Sequence, residues 1–447
     1  MSSRSTRHSP RKREILSVFI AVAVLQMGGT ALSSQTFNSM KYQLRDYQSR
    51  AANAAVEYFT GKTTGNGLII LPTGAGKSLV IADIASRIDE PLIVLQPSKE
   101  ILEQNYNKLL SYDVLDCSIY SASLNRKEIR RITFATIGSV MNHLHDFDQF
   151  HKIIIDECHL VNPAEGQYKE FIEAVEGRKV VGLTATPYRL GQTIDPKTIN
   201  SNWPKYGSIL KFITRTRPRI FDRVLYFAQV KDLLDRGYLA QLRYFDMLKL
   251  EKKNRLNMSK VKLNTTGADY DEKSLKAEME RADFYEYTLS VINRLLHPKD
   301  GKPRNGVLVF CRFVEDAERL TWDLEGICEM VSGTTPKKER EAVLARFKSG
   351  ETKVVANVGV LTTGFDHPAL DTIILARPTM SLALYYQMVG RAIRPFPGKD
   401  GWVIDLCGNY EKFGAVEDLT IDQQERNKWI VTGTKEKKQL TNIFMRK

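Results

Sequence analysis

The sequence predicts an α/β protein of two tandem domains, each with a parallel sheet, and a cleft between them. Three observations carry this. Short β-branched runs alternate with longer amphipathic stretches from residue 67 onward, and the alternation resumes after a polar interruption. A glycine-rich turn joins the first strand to the first helix. Strands that are apolar at nearly every position must be covered on both faces, which crossover helices achieve in parallel sheets.

In order, GLIILP (67–72) leads through that turn into a helix at 77–88, and PLIVLQP (91–97) precedes the helix SKEILEQNYNKLL. RITFAT (131–136), KIIIDE (152–157) and KVVGLTAT (179–186) complete the first set of strands. The second set is GVLVFC (306–311), ICEMVSG (327–333), TKVVANV (352–358), DTIILA (371–376) and GWVIDL (401–406). The expected divisions are an N-terminal extension (1–39), a first domain (40–220), a second domain (221–430) and a basic tail (431–447). The polar, charge-rich stretch 251–300 is expected to be an insertion or mobile linker carrying one helix.

The chain has 447 residues, 43% hydrophobic and 26% charged, which excludes a wholly disordered protein. Of the net charge of +13, residues 1–39 carry +4 and residues 431–447 another +4. Nucleic acid is a plausible acidic partner through counterion release. The five cysteines show no CxxC spacing, so neither a zinc site nor a disulfide framework is indicated, and a reducing compartment fits. The basic, Ser-rich start is followed by the apolar run ILSVFIAVAVL (15–25), too short to span a membrane unaided. Three readings stay open there: a secretory signal, a mitochondrial presequence, or a working protein that begins at Met40. The expected location is cytoplasmic, with the mitochondrion as the alternative and no membrane partner.

The turn Thr73, Gly74, Ala75, Gly76, Lys77 and Ser78 sits where a phosphate cradle belongs. Glycines let backbone N–H groups face phosphate oxygens, and the helix N-terminus adds positive potential. Lys77 would supply charge to the β- and γ-phosphates of ATP, and Ser78 a hydroxyl for Mg²⁺. The strict GxxxxGK[ST] pattern wants Gly where Leu71 stands, so a plain glycine-rich turn is the alternative. Asp156 and Glu157 end an apolar strand, at the sheet edge where ligands bind. Asp156 would hold Mg²⁺ through its water shell, and Glu157 would be the general base for the attacking water. Two solvated acids ending a strand are the bland reading. Cys158 is expected to fill space, and His159 to connect the phosphate site to the other domain. In YYQMVGRAIRP (385–395), Arg391 and Arg394 lie three apart on a helix and need concentrated negative charge. The histidines of NHLHDFDQFH (142–151) have no paired ligand set elsewhere and are expected in a polar loop, not a metal site.

TGAGKS, DECH and TATP (184–187) in the first half, with QMVGRAIR (387–394) in the second, resemble the superfamily 2 helicases over roughly residues 40–430. LRDYQ (44–48), GLTATPYRL (182–190), DRGYLAQL (235–242) and LTTGFDHPALDTIILARPT (361–379) bring the likeness closer to a DNA helicase and translocase group. That group holds the type III restriction motors, phage recombination helicases and excision-repair helicases. The resemblance implies two RecA-like domains, ATP with Mg²⁺, and DNA in preference to RNA. It implies that Gln48, with Arg45, reads adenine, and that Asp366 approaches the ribose. Thr184, Thr186 and Gln387 would couple nucleotide state to the nucleic-acid track. Ser98, Lys99, Thr136 and Thr334 would touch the phosphodiester backbone. Thr363 stands where many relatives carry a carboxylate, and Gly138 where a glutamine is frequent. Arg391 and Arg394 would be arginine fingers on ATP held by the opposite domain, so that hydrolysis needs cleft closure. The rivals are an RNA helicase, a motor subunit of a restriction-type complex, and a nucleic-acid scaffold with an inactive ATP site.

Overall fold

The computed structural model describes residues 43–202, 206–246, 252–265, 269–299, 301, 303–304, 306–362, 364–425, 427–433 and 438–445. The extension 1–39, Thr363 and parts of the 251–300 and 431–447 segments lie outside the described residues.

Helix α1 (Asp46–Thr60) precedes β1 (Gly67–Ile70), and the turn expected to hold phosphate leads into α2 (Lys77–Ser86). Then come β2 (Leu92–Gln96), α3 (Lys99–Leu110), β3 (Cys117–Ser121), β4 (Arg126–Lys127), β5 (Ile132–Thr136) and α4 (Ile137–Val140). β6 (Lys152–Ile155), α5 (Gln167–Ala174), β7 (Lys179–Thr184), β8 (Tyr188–Ile194), β9 (Tyr206–Phe212), β10 (Arg223–Phe227) and α6 (Val230–Asp235) follow. The first sheet has the order β10-β1-β7-β6-β2-β5-β3-β4, parallel except for the short β4. Strands β1, β2, β6 and β7 are rich in Ile, Val and Leu, and with β5 they are almost wholly buried, as a sheet covered on both faces requires.

The second sheet uses β11 (Leu242–Asp246), β12 (Val307–Cys311), β13 (Cys328–Val331), β14 (Val354–Asn357), β15 (Thr372–Ala376) and β16 (Gly401–Asp405). It is fully parallel, in the order β11-β16-β15-β12-β14-β13. Its helices are α7 (Glu272–Arg281), α8 (Phe284–Leu296), α9 (Val314–Asp323), α10 (Lys337–Ser349), α11 (Leu382–Val389) and α12 (Asn409–Phe413). The two sheets and their order give the α/β, two-domain RecA-like architecture that the sequence predicts.

Three features differ from the expected divisions. β10 pairs in parallel with β1, so the first sheet runs past residue 220. The stretch 251–300 is not a loose linker where it is described. Leu275, Met279, Tyr287, Val291 and Ile292 are buried and share a core with Val307 and Val309. Their helical spacing, hidden among many charges, closes one face of the second sheet. The expected tail also contributes strands. After β17 (Thr420–Glu425) and β18 (Lys428–Gly433), β19 (Lys438–Gln439) pairs with β18 and β20 (Phe444–Met445) with β9. Trp429 of β18 packs its ring 6.4 Å from Phe212 and 5.2 Å from Phe227, both from the first half of the chain. Gln229 and Ile421 exchange two hydrogen bonds of 2.9 and 3.1 Å across the same junction. No helix among the described residues is long and apolar enough to cross a membrane. In the 142–151 segment, His151 is engaged by the Val175 carbonyl at 3.0 Å.

Candidate active site

β1, β7 and β6 are neighbours, and their carboxyl ends deliver the turn 72–76, Thr184 and Asp156 to one edge. Gly74 and Gly76 both adopt left-handed backbone, with φ of 81° and 78°. A β-carbon on Gly76 would lie 2.5 Å from Gln48 Nε2, and one on Gly74 3.4 Å from Arg394 Cγ. Only glycine meets both demands, the conformation and the lack of space. Ala75 turns its carbonyl to α1, where Tyr47 Oη and Gln48 Nε2 both donate to it at 2.8 Å. Gln48 Oε1 in turn accepts from the Arg45 backbone N–H at 2.9 Å. The Arg45 guanidinium donates to the Tyr238 carbonyl at 3.2 Å and lies 4.5 Å from the centre of that ring. Gln48 is thus beside the cradle and braces it through Ala75, while the Arg45 side chain is turned to Tyr238 and only its backbone N–H steadies Gln48.

Lys77, the first residue of α2, places Nζ 3.2 Å from Glu157 Oε1. Glu157 has φ of 48°, a left-handed conformation that costs a side-chain-bearing residue roughly 1–2 kcal/mol. Residues held in this conformation are common in turns and also cluster at functional sites. Asp156 is buried and accepts from Asn105 Nδ2 at 3.0 Å and from the Glu157 N–H at 2.9 Å. Burial, then the charge of Glu157, pushes the Asp156 carboxyl up. Burial opposes the Glu157 charge as well, but Lys77 and His159 outweigh it and hold that carboxyl well below the usual range. Two adjacent acids are therefore driven apart, one reluctant to ionise and one held as carboxylate.

His159 is the next link. Its Nδ1 lies 2.9 Å from Thr184 Oγ1 and 3.4 Å from Glu157 Oε2, and its Nε2 lies 3.0 Å from Gln387 Nε2 of α11. Thr184 Oγ1 also accepts from the Thr186 N–H at 3.0 Å, while the buried Thr186 hydroxyl has no hydrogen-bond partner among the described residues. One residue past α11, Gly390 sits so close that an added β-carbon would be 2.9 Å from Thr73 Cβ and Cγ2. Arg391 and Arg394 follow. Both donate through Nη1 to the single carbonyl of Phe365 at 2.6 Å, and Arg394 also pairs with Asp366 at 2.5 Å. Burial, then Arg394, lowers Arg391 to about 9. Arg391 therefore meets only carbonyl oxygens, those of Phe365 and Gln387, while Arg394 has a carboxylate partner in Asp366.

The residues fit the group they are expected to hold. A glycine cradle, Lys77 and the Arg391 guanidinium, which has no anionic side-chain partner among the described residues, suit a polyphosphate. The Asp156 carboxylate and Ser78 hydroxyl suit Mg²⁺, which takes only one or two protein ligands beside substrate oxygens.

The four residues expected on nucleic acid are apart from this cluster. Ser98 caps α3 by accepting from the Ile101 N–H at 3.4 Å. Lys99 is 3.7 Å from Glu100, and burial, then Lys337 of α10, lowers its pKa. Thr136 Oγ1 is 2.8 Å from Ser139 Oγ, and Thr334 Oγ1 is 2.9 Å from Ser332 Oγ. Asn105 and Gly390 were missed by the sequence reading. Asn105 had a signal, since it occupies the buried face of α3 with Ile101, Leu102 and Leu109. An amide on that face needs a polar partner.

Known proteins resemble the chain over both of its halves. The family described as "Type III restriction enzyme, res subunit" matches residues 41–189, and "Helicase conserved C-terminal domain" matches residues 288–395. IRC3 of Saccharomyces cerevisiae, provisionally named an ATP-dependent helicase, is 24% identical over 82% of this chain and 51% of its own length. XPB2 of Sulfurisphaera tokodaii, named a DNA 3′-5′ translocase, is 24% identical over 79% of each chain. The type ISP restriction-modification enzyme LlaBIII, solved bound to DNA, shares the fold with a TM-score of 0.56 at 19% identity. That match covers 81% of this chain and 27% of the enzyme, so the chain spans about half of IRC3 and about a quarter of LlaBIII. Both family matches fall on the two halves that meet at the Thr73–Gly390 contact, and the chain belongs to the superfamily 2 helicases, in the group of restriction motors and XPB-like proteins.

Proposed function

We propose that the chain is an ATP-driven motor that moves along DNA or unwinds it, in repair, recombination or replication. The observation that carries this reading is the seating of the arginine segment on the phosphate cradle, with Gly390 against Thr73 and Arg394 against Gly74. Thr73 to Ser78 hold the phosphates of ATP through backbone N–H groups, the Lys77 charge and the α2 N-terminus. Ser78 and Asp156 hold Mg²⁺, which when bound neutralises charge on the phosphate oxygens. Glu157, fixed as carboxylate, accepts the proton of the attacking water. Arg391 and Arg394 leave the Phe365 carbonyl for the γ-phosphate, a contribution on the order of 10³–10⁵ in rate. Gln48 and Arg45 border the adenine end, and Asp366 faces the ribose from the second domain. Thr184, Thr186, His159 and Gln387 relay the state of the cleft, while Ser98, Lys99, Thr136 and Thr334 grip the backbone of the strand. Five buried, unpaired cysteines favour a reducing compartment, the cytoplasm or the mitochondrial interior.

A motor subunit of a restriction-type complex is the second reading, favoured by the restriction-subunit match over residues 41–189. ATP turnover measured with single-stranded, duplex and forked DNA, and with RNA of matched sequence, tests the proposal. DNA is expected to stimulate turnover, and Lys77→Ala to remove it. Stimulation by RNA alone would overturn the choice of DNA. Strand displacement from a fork marks a helicase, and duplex-stimulated turnover without displacement favours the restriction-type motor.

A further inference from the structure

A cavity of about 810 Å³ lies in the second domain among residues the ATP reading does not use. It opens beyond the carboxyl ends of β15 and β16, which are adjacent and parallel. Met380 follows β15, Cys407 to Lys412 follow β16, and residues 255–260 with Tyr270 close the other side. The carboxyl edge of a parallel sheet is where α/β proteins bind ligands, and the volume is that of a small-molecule site.

Among the described residues the lining is cationic, with Arg255, Lys260, Arg281 and Lys412 against the carboxylate of Glu411. Two of these cations are already matched, since Arg255 pairs with Glu411 at 3.2 Å and Arg281 with Glu278 at 2.6 Å. Lys412 is different. Its ammonium donates to Tyr270 Oη and the Thr379 carbonyl, each at 3.4 Å, and to Met380 Sδ. None of these is an anion. Asp269, the carboxylate whose field reaches Lys412, pairs at 3.0 Å with Arg312. Nζ also lies 5.4 Å from the centre of the Tyr270 ring and 5.3 Å from that of Phe413. The rings attract the ammonium through their π faces, but they leave its charge unneutralised, and a desolvated cation gains further from an anion.

We propose that this cavity binds an organic phosphate, with the phosphate on Lys412 and its organic part against Tyr270, Leu256 and Met258. Two sources share that chemistry, a free nucleotide and a phosphate of the nucleic-acid strand. The site lies within the second domain, so it does not depend on the reading of the ATP cleft.

Burial lowers Lys412 to about 8, which makes its amine a nucleophile under mild conditions. Acylation of the full chain with acetic anhydride, followed lysine by lysine by peptide mass spectrometry, therefore reports on the cavity without any substitution. Exposed Lys62 serves as the control. An occupant near ten times its dissociation constant should slow Lys412 modification by roughly tenfold and leave Lys62 unchanged. Protection by AMP at concentrations where pyrophosphate protects less identifies a free nucleotide, protection by a short single-stranded oligonucleotide alone identifies the strand, and equal or better protection by pyrophosphate removes the organic part of the proposal. Lys412→Gln should then weaken binding of whichever probe protected. No protection by any of the three probes, or undiminished binding by Lys412→Gln, overturns the site.

Discussion

Gln387 and His159 meet nitrogen to nitrogen, 3.0 Å apart, across the two domains. An amide N–H can only donate, so His159 Nε2 accepts and the ring proton sits on Nδ1. From there it faces Thr184 Oγ1 at 2.9 Å and Glu157 Oε2 at 3.4 Å. Glu157, the proposed base, is thereby joined to a helix of the opposite domain through one imidazole. Gln387→Ala should uncouple the halves. DNA stimulation of ATP turnover is expected to fall by about tenfold, some 1.4 kcal/mol in barrier. ATP affinity should change little, and an unchanged stimulation ratio would sink the coupling role.

Gly390 offers a purely steric test. Its backbone is ordinary, so alanine brings no strain of its own. The new methyl must nevertheless push against Thr73, 2.9 Å away. Gly390→Ala should separate the arginine segment from the cradle and lower turnover at least tenfold, with thermal unfolding barely shifted. Thr73→Ala in the same chain removes Cγ2 and Oγ1, and partial recovery of turnover is expected.

Arg391 and Arg394 should separate ground state from transition state. Lysine at either position keeps a charge but loses the forked geometry. Arg394→Lys is expected to reduce kcat by roughly 10³ while KM for ATP moves much less. A raised KM with kcat unchanged would assign the residue to substrate binding instead. Arg391, more deeply buried, should show the same pattern with an added loss of stability.

Asp405 predicts a pH dependence of folding. Burial raises its carboxyl to about 7, despite the N–H groups of Tyr410 and Cys407 that donate to it. The folded chain then binds more protons than the unfolded one between 3.8 and about 7. Stability from this group is complete at the acid end of that window and is lost as pH rises through it. The slope approaches roughly 1.4 kcal/mol per pH unit. Thermal unfolding of Asp405→Asn across the same range should show a shallower dependence, and parallel curves for the two proteins would remove Asp405 as the cause.

The sequence made the cradle, DECH and the strands legible because their determinants are local. A turn needs glycines at set positions, and a buried strand needs a run of apolar residues. What escaped depends on partners far along the chain. β10 looks like any half-apolar segment until β1 takes it up. The arginine pair was expected to face a γ-phosphate, but their resting acceptor, the Phe365 carbonyl, carries no side-chain signature at all. Charges around residues 251–300 masked the apolar faces of α7 and α8, whose periodicity was present but diluted. Gln48 and Arg45 were legible as neighbours of the cradle, though the brace that Gln48 makes through Ala75 was not.

The return of β17 to β20 onto the first half has a mechanical consequence. The second sheet is attached to the first half at both of its ends, through the stretch before β11 and the stretch before β17. Two tethers restrict how far the second sheet can part from the first half more than a single one would, and so keep Gly390 within reach of Thr73.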